Sequence, residues 1–399
     1  MSKPLEKIRV LDWTAWQQGP IATALLADMG AEVIKIEPPE GEPGRGMLRM
    51  YGRDLPLNFY YQNQNRGKKG IVLDLRKPKA REILYKLVEK SDVFVTNYRE
   101  SISKRLKLDY ETLKKHNPLL IYAYSSGYGP KGPDADKVAA DFSGQARGGL
   151  WSVTQSEDLV PTPIGAGFGD EVGGLMTAYG ILLAIISREQ FGIGQRVDAS
   201  LLGSQIEMGR LLLHAYLVMG VIPPGSLIKG ARNPLYNIYQ DCDGKWFAIA
   251  ALQADRYWPQ FCNVLGIEEM EKDPRFENQL ARGDNFEEIM PRMKEIIRTR
   301  SRNEWLRLLD EAGLPVAPVN DYSDVSQDPQ VIENEYIVEI EDPVHGKLKL
   351  PGVTVKLSET PGKVERLGPE LGQHTEEILM ELCGYSWDDL AKLREEGIY

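Results

Sequence analysis

The chain has 399 residues, of which 42% are hydrophobic and 27% are charged, the composition of an ordinary soluble globular protein. A chain of this length exceeds what one hydrophobic core comfortably holds, so the sequence predicts two domains. The formal net charge of −10 argues against nucleic acid as the main partner but allows a small anionic ligand at a local basic patch.

Membrane and secretion signals are not expected either. No apolar run approaches the ~18 residues that a membrane span needs, and the charged start of the chain leads directly into a strand-like segment rather than a signal peptide. The three cysteines, Cys242, Cys262 and Cys383, are widely spaced and odd in number, so they indicate neither a disulfide framework nor a zinc site. We therefore expect a cytoplasmic protein with no metal site and no membrane partner.

The first third of the chain alternates short apolar segments with helix-forming segments. Pro20 suits the first position of the first helix, and Gly30 suits its cap. Repeated strand–helix–strand units of this length predict a doubly wound α/β domain with a parallel sheet. Strands are predicted at 8–13, 31–37, 71–75, 93–95 and 120–124, and helices at 21–29, 80–90 and 102–116.

The remaining elements indicate a second domain and a returning tail. A long, nearly all-apolar helix is predicted from Asp170 to Arg188, followed by a strand at 197–200 and a helix to about Met219. From about residue 230 the pattern changes to that of a smaller α+β domain. The predicted divisions are a first part of the large domain at 1–205, a linker at 206–229, the small domain at 230–319, a linker at 320–345 and a C-terminal return to the large domain at 346–399.

The first strand–helix turn raises the question of a dinucleotide site. The turn reads Gln17-Gln18-Gly19-Pro20, with one glycine where a G-x-G-x-x-G turn needs three. Without the second glycine the backbone cannot approach a pyrophosphate in the usual manner. An ordinary first crossover of the fold is therefore favoured over a nicotinamide-dependent enzyme.

Two basic stretches interrupt an otherwise acidic chain. Residues 65–80 carry six basic residues and one acidic residue, and residues 99–115 carry six and three. Basic side chains near strand ends can hold phosphates through charge-assisted hydrogen bonds. A solvated surface is at least as good an explanation of such runs.

One carboxylate stands at the start of the long apolar helix. Asp170 follows Gly165, Gly167 and Gly169, three glycines in five residues that let the backbone bend tightly and let a ligand come close. A helix N-terminus favours the ionised carboxylate that nucleophilic attack on a thioester requires. Aspartate is also among the best helix N-caps, so Asp170 could instead be a cap, or could do both.

Several segments together resemble the class III CoA-transferases, a family that includes formyl-CoA and carnitine CoA-transferases. The segments are VLDWTAWQQGPIATALLADMGAEVIKIE, NRGKKGIVLDLR, DVFVTNYRESISKRLKLDYETL, GYGPKGPDADK, GDEVGG, GQRVDASLL, GLPVAPV and LGQHTEEIL, in this order over nearly the whole chain. The resemblance implies a Rossmann-like large domain completed by the C-terminal tail, a smaller inserted α+β domain, and two chains interlocked like rings.

The resemblance also implies the reaction and its residues. The family's catalytic aspartate in G-D-x-x-G-G corresponds to Asp170, which would form a mixed anhydride with the donor acyl group and then an aspartyl-CoA thioester. CoA and acyl-CoA would be substrates, with no tightly bound cofactor and no metal. The family's CoA contacts correspond to Trp16, Gln17, Gln18, Leu73, Arg76, Asn97, Tyr98, Arg105 and Lys137.

Departures from the family pattern bear on the substrate. Pro38 stands where one family member has an arginine, and Ala140 stands near a position that often holds an aromatic residue. The run of glycines that closes over the active site of formyl-CoA transferase is missing after Ala251, which disfavours formate and oxalate. We expect a donor such as succinyl-CoA and a medium-sized or aromatic acceptor acid. The aromatic residues that either line its pocket or belong to the core are Trp16, Tyr60, Tyr61 and Trp151.

Two other functions remain open at this point. α-Methylacyl-CoA racemases share the fold and the aspartate turn, but their proton transfer needs a histidine base just before the aspartate that matches Asp141. This chain has Val138-Ala139-Ala140 there, and its four histidines lie elsewhere in the sequence. The chain could also pair with a related subunit in a hetero-oligomeric CoA-transferase, and Asp170 would then make it the active half.

Overall fold

The computed structural model describes residues 2–50, 52, 55, 57–154, 160–221 and 232–399. The chain divides into two units, the first formed by Met1–Arg210 with Ile332–Tyr399 and the second by Leu211–Val331. Because the first unit contains both ends of the chain, the C-terminal segment returns to it after the second unit.

The first unit is built on a parallel sheet of six strands, counted over the described residues. Its strands are β1 (Arg9–Trp13), β2 (Glu32–Glu37), β3 (Lys69–Val72), β4 (Val93–Thr96), β5 (Ile121–Ser126) and β6 (Arg196–Ser200). They lie in the order β3-β2-β1-β4-β5-β6, and the order reverses between β1 and β4. Side chains from both faces of the sheet enter hydrophobic clusters, as in a sheet covered on both sides. The predicted α/β fold is confirmed.

Helices fill the connections between these strands, and two more follow β6, the last of them almost entirely in the second unit. The first helix begins at Gln18 rather than at the predicted Pro20. The helix predicted over 102–116 is two helices, because Lys107, with a left-handed φ of 59°, ends the first of them. The helices are α1 (Gln18–Asp28), α2 (Met47–Met50), α3 (Phe59–Asn65), α4 (Pro78–Glu89), α5 (Glu100–Leu106), α6 (Tyr110–Leu113), α7 (Asp141–Arg147), α8 (Phe168–Phe191), α9 (Leu201–Met208) and α10 (Arg210–Met219), which begins at the last residue of the first part of this unit.

The long apolar helix α8 packs against β5, β6 and α1. A Cβ atom on Gly173 would lie 2.7 Å from Nε2 of Gln18, and one on Gly174 would lie 2.6 Å from Cγ2 of Ile21. The two glycines of the G-D-x-x-G-G segment therefore let α8 approach α1 closely. This approach brings the beginning of α1 beside the beginning of α8.

The expectation that no segment is long and apolar enough to span a membrane is wrong, because one helix meets that criterion by length and composition. Helix α8 has 24 residues and a mean hydropathy of 1.3 over its most apolar 18-residue window. Its buried side faces β5, β6 and α1, which is the arrangement of a core helix in an α/β domain. Length and composition alone do not distinguish such a helix from a membrane span.

The second unit contains a small antiparallel sheet and several helices. Its strands are β7 (Tyr236–Gln240), β8 (Trp246–Ala250) and β9 (Val316–Pro318), in that order. A hydrophobic cluster of its own includes Phe247, Trp258, Met293 and Trp305. The helices are α11 (Ala254–Leu265), α12 (Glu268–Glu271), α13 (Gln279–Asp284), α14 (Phe286–Ile297), α15 (Arg302–Glu311), α16 (Tyr322–Val325) and α17 (Pro329–Glu333), the last of which crosses into the returning segment.

Two intervals predicted as linkers contain regular structure. The interval 206–229 includes the last three residues of α9 and the whole of α10. Its residues 222–229 lie outside the described residues. The interval 320–345 includes α16, α17 and β10 (Ile337–Asp342), which pairs with β11 (Gly346–Pro351) in a hairpin. Helices of four or five residues, as α16 and α17 are, are too short for hydrophobic periodicity to reveal.

The C-terminal segment packs on the first unit through α18 (Thr375–Cys383) and α19 (Trp387–Glu395). Leu379 and Leu390 belong to the same hydrophobic cluster as Ile83 of α4. The N–H group of His374 donates to the carbonyl of Gly70 at 2.9 Å, which ties the segment to β3. The last residues of the chain thus supply part of the core on one face of the sheet.

Candidate active site

The site predicted from the sequence lies at the carboxyl ends of the parallel strands, where the strand order reverses. A cavity of about 1220 Å³ opens there, between the segments that follow β1, β4 and β5 and the start of α8. Such a volume exceeds the roughly 300–1,000 Å³ of most small-molecule sites, so it suits a ligand larger than a single short acid. Its lining includes Trp16, Gln17, Gln18, Asn97, Tyr98, Lys137, Asp141, Phe142 and Asp170.

The turn between β1 and α1 forms one wall of this cavity. Trp16 has a φ of 67°, a left-handed conformation that is costly for a residue other than glycine. The side-chain amide of Asn97 donates to the carbonyl of Ala15 at 2.7 Å, and its oxygen accepts from the Ala15 N–H at 2.9 Å. Glu42 accepts from the N–H of Trp16 at 3.0 Å. These bonds hold the strained turn in one conformation.

Gln17 and Gln18 extend from this turn toward the start of α8. The Gln17 amide donates to the carbonyl of Gly167 at 3.3 Å and to the Glu171 carboxylate at 3.2 Å. The Nε2 atom of Gln18 is buried and has no hydrogen-bond partner among the described residues. Gln18 itself lines the cavity, and because an unsatisfied buried donor is costly, a bound ligand that accepts a hydrogen bond from this amide would relieve that cost.

Asp170 is the third residue of α8, not its N-cap. The helix begins at Phe168, and its N-cap is Gly167, with a φ of 77°. The predicted capping role of Asp170 is therefore wrong. None of the described residues donates a hydrogen bond to its carboxylate, which borders the cavity.

The N–H groups at the start of α8 are bound instead by Asp141, from α7. Its Oδ2 atom accepts from the N–H of Gly167 at 2.9 Å. Its Oδ1 atom accepts from the N–H groups of Gly169 at 2.7 Å and Asp170 at 3.1 Å. The Gln145 amide donates to both oxygens, at 3.1 and 3.0 Å. This role of Asp141 could not be predicted, since nothing in one sequence indicates that a side chain of one helix binds the first N–H groups of another.

The Asp170 carboxyl is harder to ionise than an ordinary aspartate. Burial, the Asp141 carboxylate and the Glu171 carboxylate together raise the pKa of Asp170 to about 7. Burial also raises the pKa of Glu171, against the hydrogen bond from Gln17. A carboxylate with a pKa near neutrality is partly ionised at pH 7 and is a stronger base than a solvated one.

Six of the nine predicted CoA contacts line the cavity with Asp170, and three do not. Leu73 is 1% exposed in the core, Arg76 pairs with Asp74 and Glu40, and Arg105 is exposed on α5. Leu73 and Arg76 follow the carboxyl end of β3, at the same edge of the sheet as the cavity, whereas Arg105 lies in the last turn of α5, the helix that follows β4. Their contact with CoA stays a prediction. The six that line the cavity are Trp16, Gln17, Gln18, Asn97, Tyr98 and Lys137.

The aromatic candidates separate into pocket and core. Trp16 and Tyr60 line the cavity. Tyr61 is 2% exposed and is a core residue. Trp151 packs edge to face on Phe142, with ring centroids 4.5 Å apart, and Phe142 itself lines the cavity.

The first basic stretch, residues 65–80, contains two buried ion pairs that a single sequence does not reveal. The Lys68 ammonium is fully buried and lies 2.8 Å from Oδ2 of Asp12. The Arg66 guanidinium lies 2.7 Å from Oδ2 of Asp28, also in the interior. For these two residues, neither a solvated surface nor a phosphate site is the explanation.

Among the described residues, neither a metal-binding cluster nor a histidine base lies at the cavity. In the part of the chain that the structure describes, no group of three or more His, Cys, Asp or Glu side chains could hold a metal ion. The Nδ1 atom of His374, just before α18, accepts a hydrogen bond from the N–H of Gly70 in β3 at 3.1 Å. None of the chain's four histidines is among the described residues that line the cavity; they are His116, His214, His345 and His374.

Comparison with known proteins points to one family. A family model described as CoA-transferase family III matches residues 5–375. The chain is 34% identical over 401 residues to the succinyl-CoA–D-citramalate CoA-transferase of Chloroflexus aurantiacus, across 99% of this chain and 98% of that protein. It is 32% identical to the formyl-CoA:oxalate CoA-transferase of Bradyrhizobium sp. (strain ORS 278), across 100% of this chain and 97% of that protein.

Solved structures share the fold. A CAIB/BAIF family protein from Brucella suis matches with a TM-score of 0.83 at 30% identity, over 96% of this chain and 100% of that chain. Rv3272 from Mycobacterium tuberculosis matches with a TM-score of 0.83 at 25% identity, over 94% of this chain and 98% of that chain. The chain therefore belongs to family III of the CoA-transferases, a family of enzymes that use CoA thioesters as substrates.

Proposed function

We propose that the enzyme moves CoA from an acyl-CoA donor, such as succinyl-CoA, to a medium-sized or aromatic carboxylic acid, and that Asp170 carries first the acyl group and then CoA. The observation that carries the proposal is the Asp170 carboxylate itself. It follows a glycine turn, borders a large cavity, and receives no hydrogen bond from the described residues. A carboxylate in this state is suited to attack a thioester carbon.

The first half of the reaction loads the enzyme. An oxygen of Asp170 attacks the thioester carbon of the donor, the C–S bond breaks, and CoA leaves as a thiolate. The resulting mixed anhydride is then attacked at its aspartyl carbon by the thiolate, and the donor acid leaves as a carboxylate. The product is an aspartyl-CoA thioester.

The second half transfers CoA to the acceptor. The acceptor carboxylate attacks the aspartyl carbon, which expels the CoA thiolate and forms a second anhydride. The thiolate attacks the acceptor's carbonyl carbon, so the new acyl-CoA leaves and the Asp170 carboxylate is restored. We assign to Gln18 a hydrogen bond to the carbonyl oxygen on which negative charge develops, because Gln18 lines the cavity and its Nε2 atom has no partner among the described residues.

The cavity supports an acceptor larger than formate or oxalate. Its apolar lining includes Trp16, Phe59, Tyr60, Phe142 and Leu348. The name of the relative from Chloroflexus aurantiacus supports succinyl-CoA as the donor. CoA itself would extend from this cavity along the carboxyl ends of the strands, toward the remaining predicted contacts.

Racemisation is the less favoured alternative. It needs a base and an acid on opposite sides of the α-carbon, and the related racemases use a histidine for one of them. No histidine of the described residues lines the cavity beside Asp170. Transfer through a covalent aspartyl intermediate needs only the carboxylate.

The function is tested by trapping the intermediate. We expect that succinyl-CoA without an acceptor leaves a covalent adduct on the peptide that contains Asp170, detectable by mass spectrometry. Hydroxylamine should convert this peptide to the aspartyl hydroxamate and inactivate the enzyme only when acyl-CoA is present. A screen of aliphatic and aromatic acids then identifies the acceptor. Deuterium exchange at the α-carbon of a 2-methylacyl-CoA, without any acceptor or adduct, would instead establish a racemase.

We also propose that the enzyme is an interlocked homodimer, on the basis of the family resemblance and of two exposed apolar helix faces. Helix α8 exposes Leu175, Tyr179 and Leu183 in a stripe at four-residue spacing, and the apolar helix α10 has no buried residue. Soluble monomers rarely leave such faces uncovered. Sedimentation of the purified chain alone should give twice the mass of one chain. A monomer that is active only with a related subunit would instead favour the hetero-oligomer.

A further inference from the structure

We propose that Asp141 is a positioning residue that makes Asp170 a stronger nucleophile, because it occupies the helix N-terminus that would otherwise stabilise the Asp170 carboxylate. The inference rests on the proposed function, in which Asp170 is the nucleophile. It deepens that function by naming the group that sets the reactivity of the nucleophile.

The geometry of the Asp141 carboxylate carries the proposal. An ionised carboxylate has about four acceptor sites. Asp141 uses them for the N–H groups of Gly167, Gly169 and Asp170, at 2.7 to 3.1 Å, and for the amide of Gln145. These N–H groups begin α8, and in most helices they would be free to bind an anion. In this enzyme they are hydrogen-bonded to Asp141 and are not free to stabilise the ionised Asp170.

Gln145 fixes Asp141 and the glycine turn relative to each other. It is fully buried, and its Nε2 atom also donates to the carbonyl of Gly165 at 2.8 Å. The orientation of the amide is set on its other side, where the Trp151 Nε1–H donates to the Gln145 oxygen at 3.3 Å. Since the oxygen faces Trp151, the amide N–H groups face Asp141. Helix α7 therefore holds both ends of the turn that presents Asp170.

The two charged groups that raise the pKa of Asp170, Asp141 and Glu171, both disfavour its ionised form. Asp141 lies on α7, and Glu171 is the residue that follows Asp170 in α8. The turn before α1 and the first residue of α1 line the cavity beside Asp170 with the neutral side chains Gln17 and Gln18, and the first turn of α9 carries no charged residue. Two like charges disfavour the ionised form, and burial, the largest of the three effects, disfavours it further.

This arrangement favours the covalent intermediates. A more basic carboxylate is a stronger nucleophile toward an acyl carbon. Once Asp170 becomes an anhydride or a thioester it carries no charge, so its repulsion with Asp141 is relieved. The like charge of Asp141 therefore raises the free energy of the unreacted enzyme relative to the loaded one.

The test is the pH dependence of adduct formation in Asp141→Asn. Single-turnover loading of Asp170 by succinyl-CoA is followed by quenching and mass spectrometry between about pH 5 and pH 9. In the natural enzyme we expect the rate to rise with pH with a midpoint near 7 and to level off about one pH unit above that, because the ionised carboxylate is the reacting form. In the variant the midpoint should move to lower pH, and the plateau rate should fall by about tenfold or more.

Two further variants separate charge from structure. Asp141→Glu keeps the charge, so its midpoint should stay near that of the natural enzyme even if the plateau falls. Asp388→Asn makes the same exchange in the first turn of α19 and should change neither quantity. A lower plateau in Asp141→Asn with an unmoved midpoint would mean a merely structural role and would overturn the inference.

The natural enzyme alone keeps the inference testable if Asp141→Asn does not fold. A midpoint below about pH 5 in that enzyme would show that Asp170 is an ordinary carboxylate, and would overturn the inference without any variant. Absence of an adduct on Asp170 in the natural enzyme would have a different meaning. It would refute the proposed function itself.

Discussion

Asp170→Asn is expected to lower CoA transfer by at least about 10⁴-fold, the scale on which loss of a covalent nucleophile acts. The asparagine amide has nearly the same shape, but it does not attack a thioester. The neighbouring carboxylate of Asp141 cannot replace it, because its oxygens are engaged by three backbone N–H groups. CoA affinity should change little, since the predicted CoA contacts lie on other residues. Steady-state transfer from succinyl-CoA and calorimetric titration with CoA measure the two quantities.

Two controls make this result specific. Asp170→Ala excludes slow deamidation of the asparagine back to aspartate as a source of residual turnover. Glu189→Gln changes an exposed carboxylate near the other end of α8 and should leave transfer at the natural rate. Turnover within about a hundredfold of the natural enzyme in both Asp170 variants would rule out the aspartyl intermediate.

The same asparagine variant should be more stable than the natural enzyme at neutral and alkaline pH. The pKa of Asp170 rises from 3.8 in an unfolded chain to about 7 in the folded one, so ionisation costs the folded state free energy. The advantage of the variant should therefore be small below about pH 4, grow between pH 4 and pH 7, and stay constant above that. With about 1.4 kcal/mol for each pKa unit and allowance for solvent, a gain on the order of 2 kcal/mol is expected. Thermal unfolding at several pH values measures it.

The parallel sheet and the general place of the site could be predicted from the sequence. The strand expected at 31–37 is β2, Glu32–Glu37, because a strand buried on both faces is a short apolar run between breaking residues. Asp170 and the turn at Gln17 both stand where a helix begins beside the carboxyl ends of the strands. In a doubly wound sheet such turns meet at one edge.

What could not be predicted depends on side chains that meet only in the folded chain. Asp141 binds N–H groups 26 to 29 residues later in the sequence, and such contacts leave no periodic pattern. Similarly, α8 begins at Phe168, two residues before the predicted start, where Asp141 of α7 accepts hydrogen bonds from the N–H groups of Gly167 and Gly169. Lys68 resembles its basic neighbours in the sequence, and only the presence of Asp12 across the sheet distinguishes a buried lysine from an exposed one.

Lys68→Met is expected to reduce the free energy of unfolding by about 3–5 kcal/mol, because it removes the ammonium that is directly paired with the buried Asp12 carboxylate. The Lys68 ammonium donates to Asp12 at 2.8 Å, to Asn65 at 2.8 Å, and to the carbonyls of Pro20 and Gln64 at 2.9 Å. Burial alone would raise the pKa of Asp12, but Lys68 and Lys35 outweigh it and lower that pKa to about 2. Because Pro20 lies in the first turn of α1, the variant should also loosen the turn that carries the cavity-lining glutamines. Thermal and urea unfolding measure the loss.

Lys69→Met is the matched control for this prediction. It is the same exchange at the next residue, where the ammonium pairs on the surface with Glu377 at 2.8 Å and Glu32 at 3.2 Å. Pairs of this kind contribute about 1 kcal/mol or less, so the two neighbouring variants should differ by several-fold in their effect. The double variant Asp12→Asn with Lys68→Met removes the unpaired charge and should recover part of the lost stability. If the double variant is no more stable than Lys68→Met, an uncompensated charge is not the cause, and the four hydrogen bonds of Lys68 are what hold the start of α1 in place.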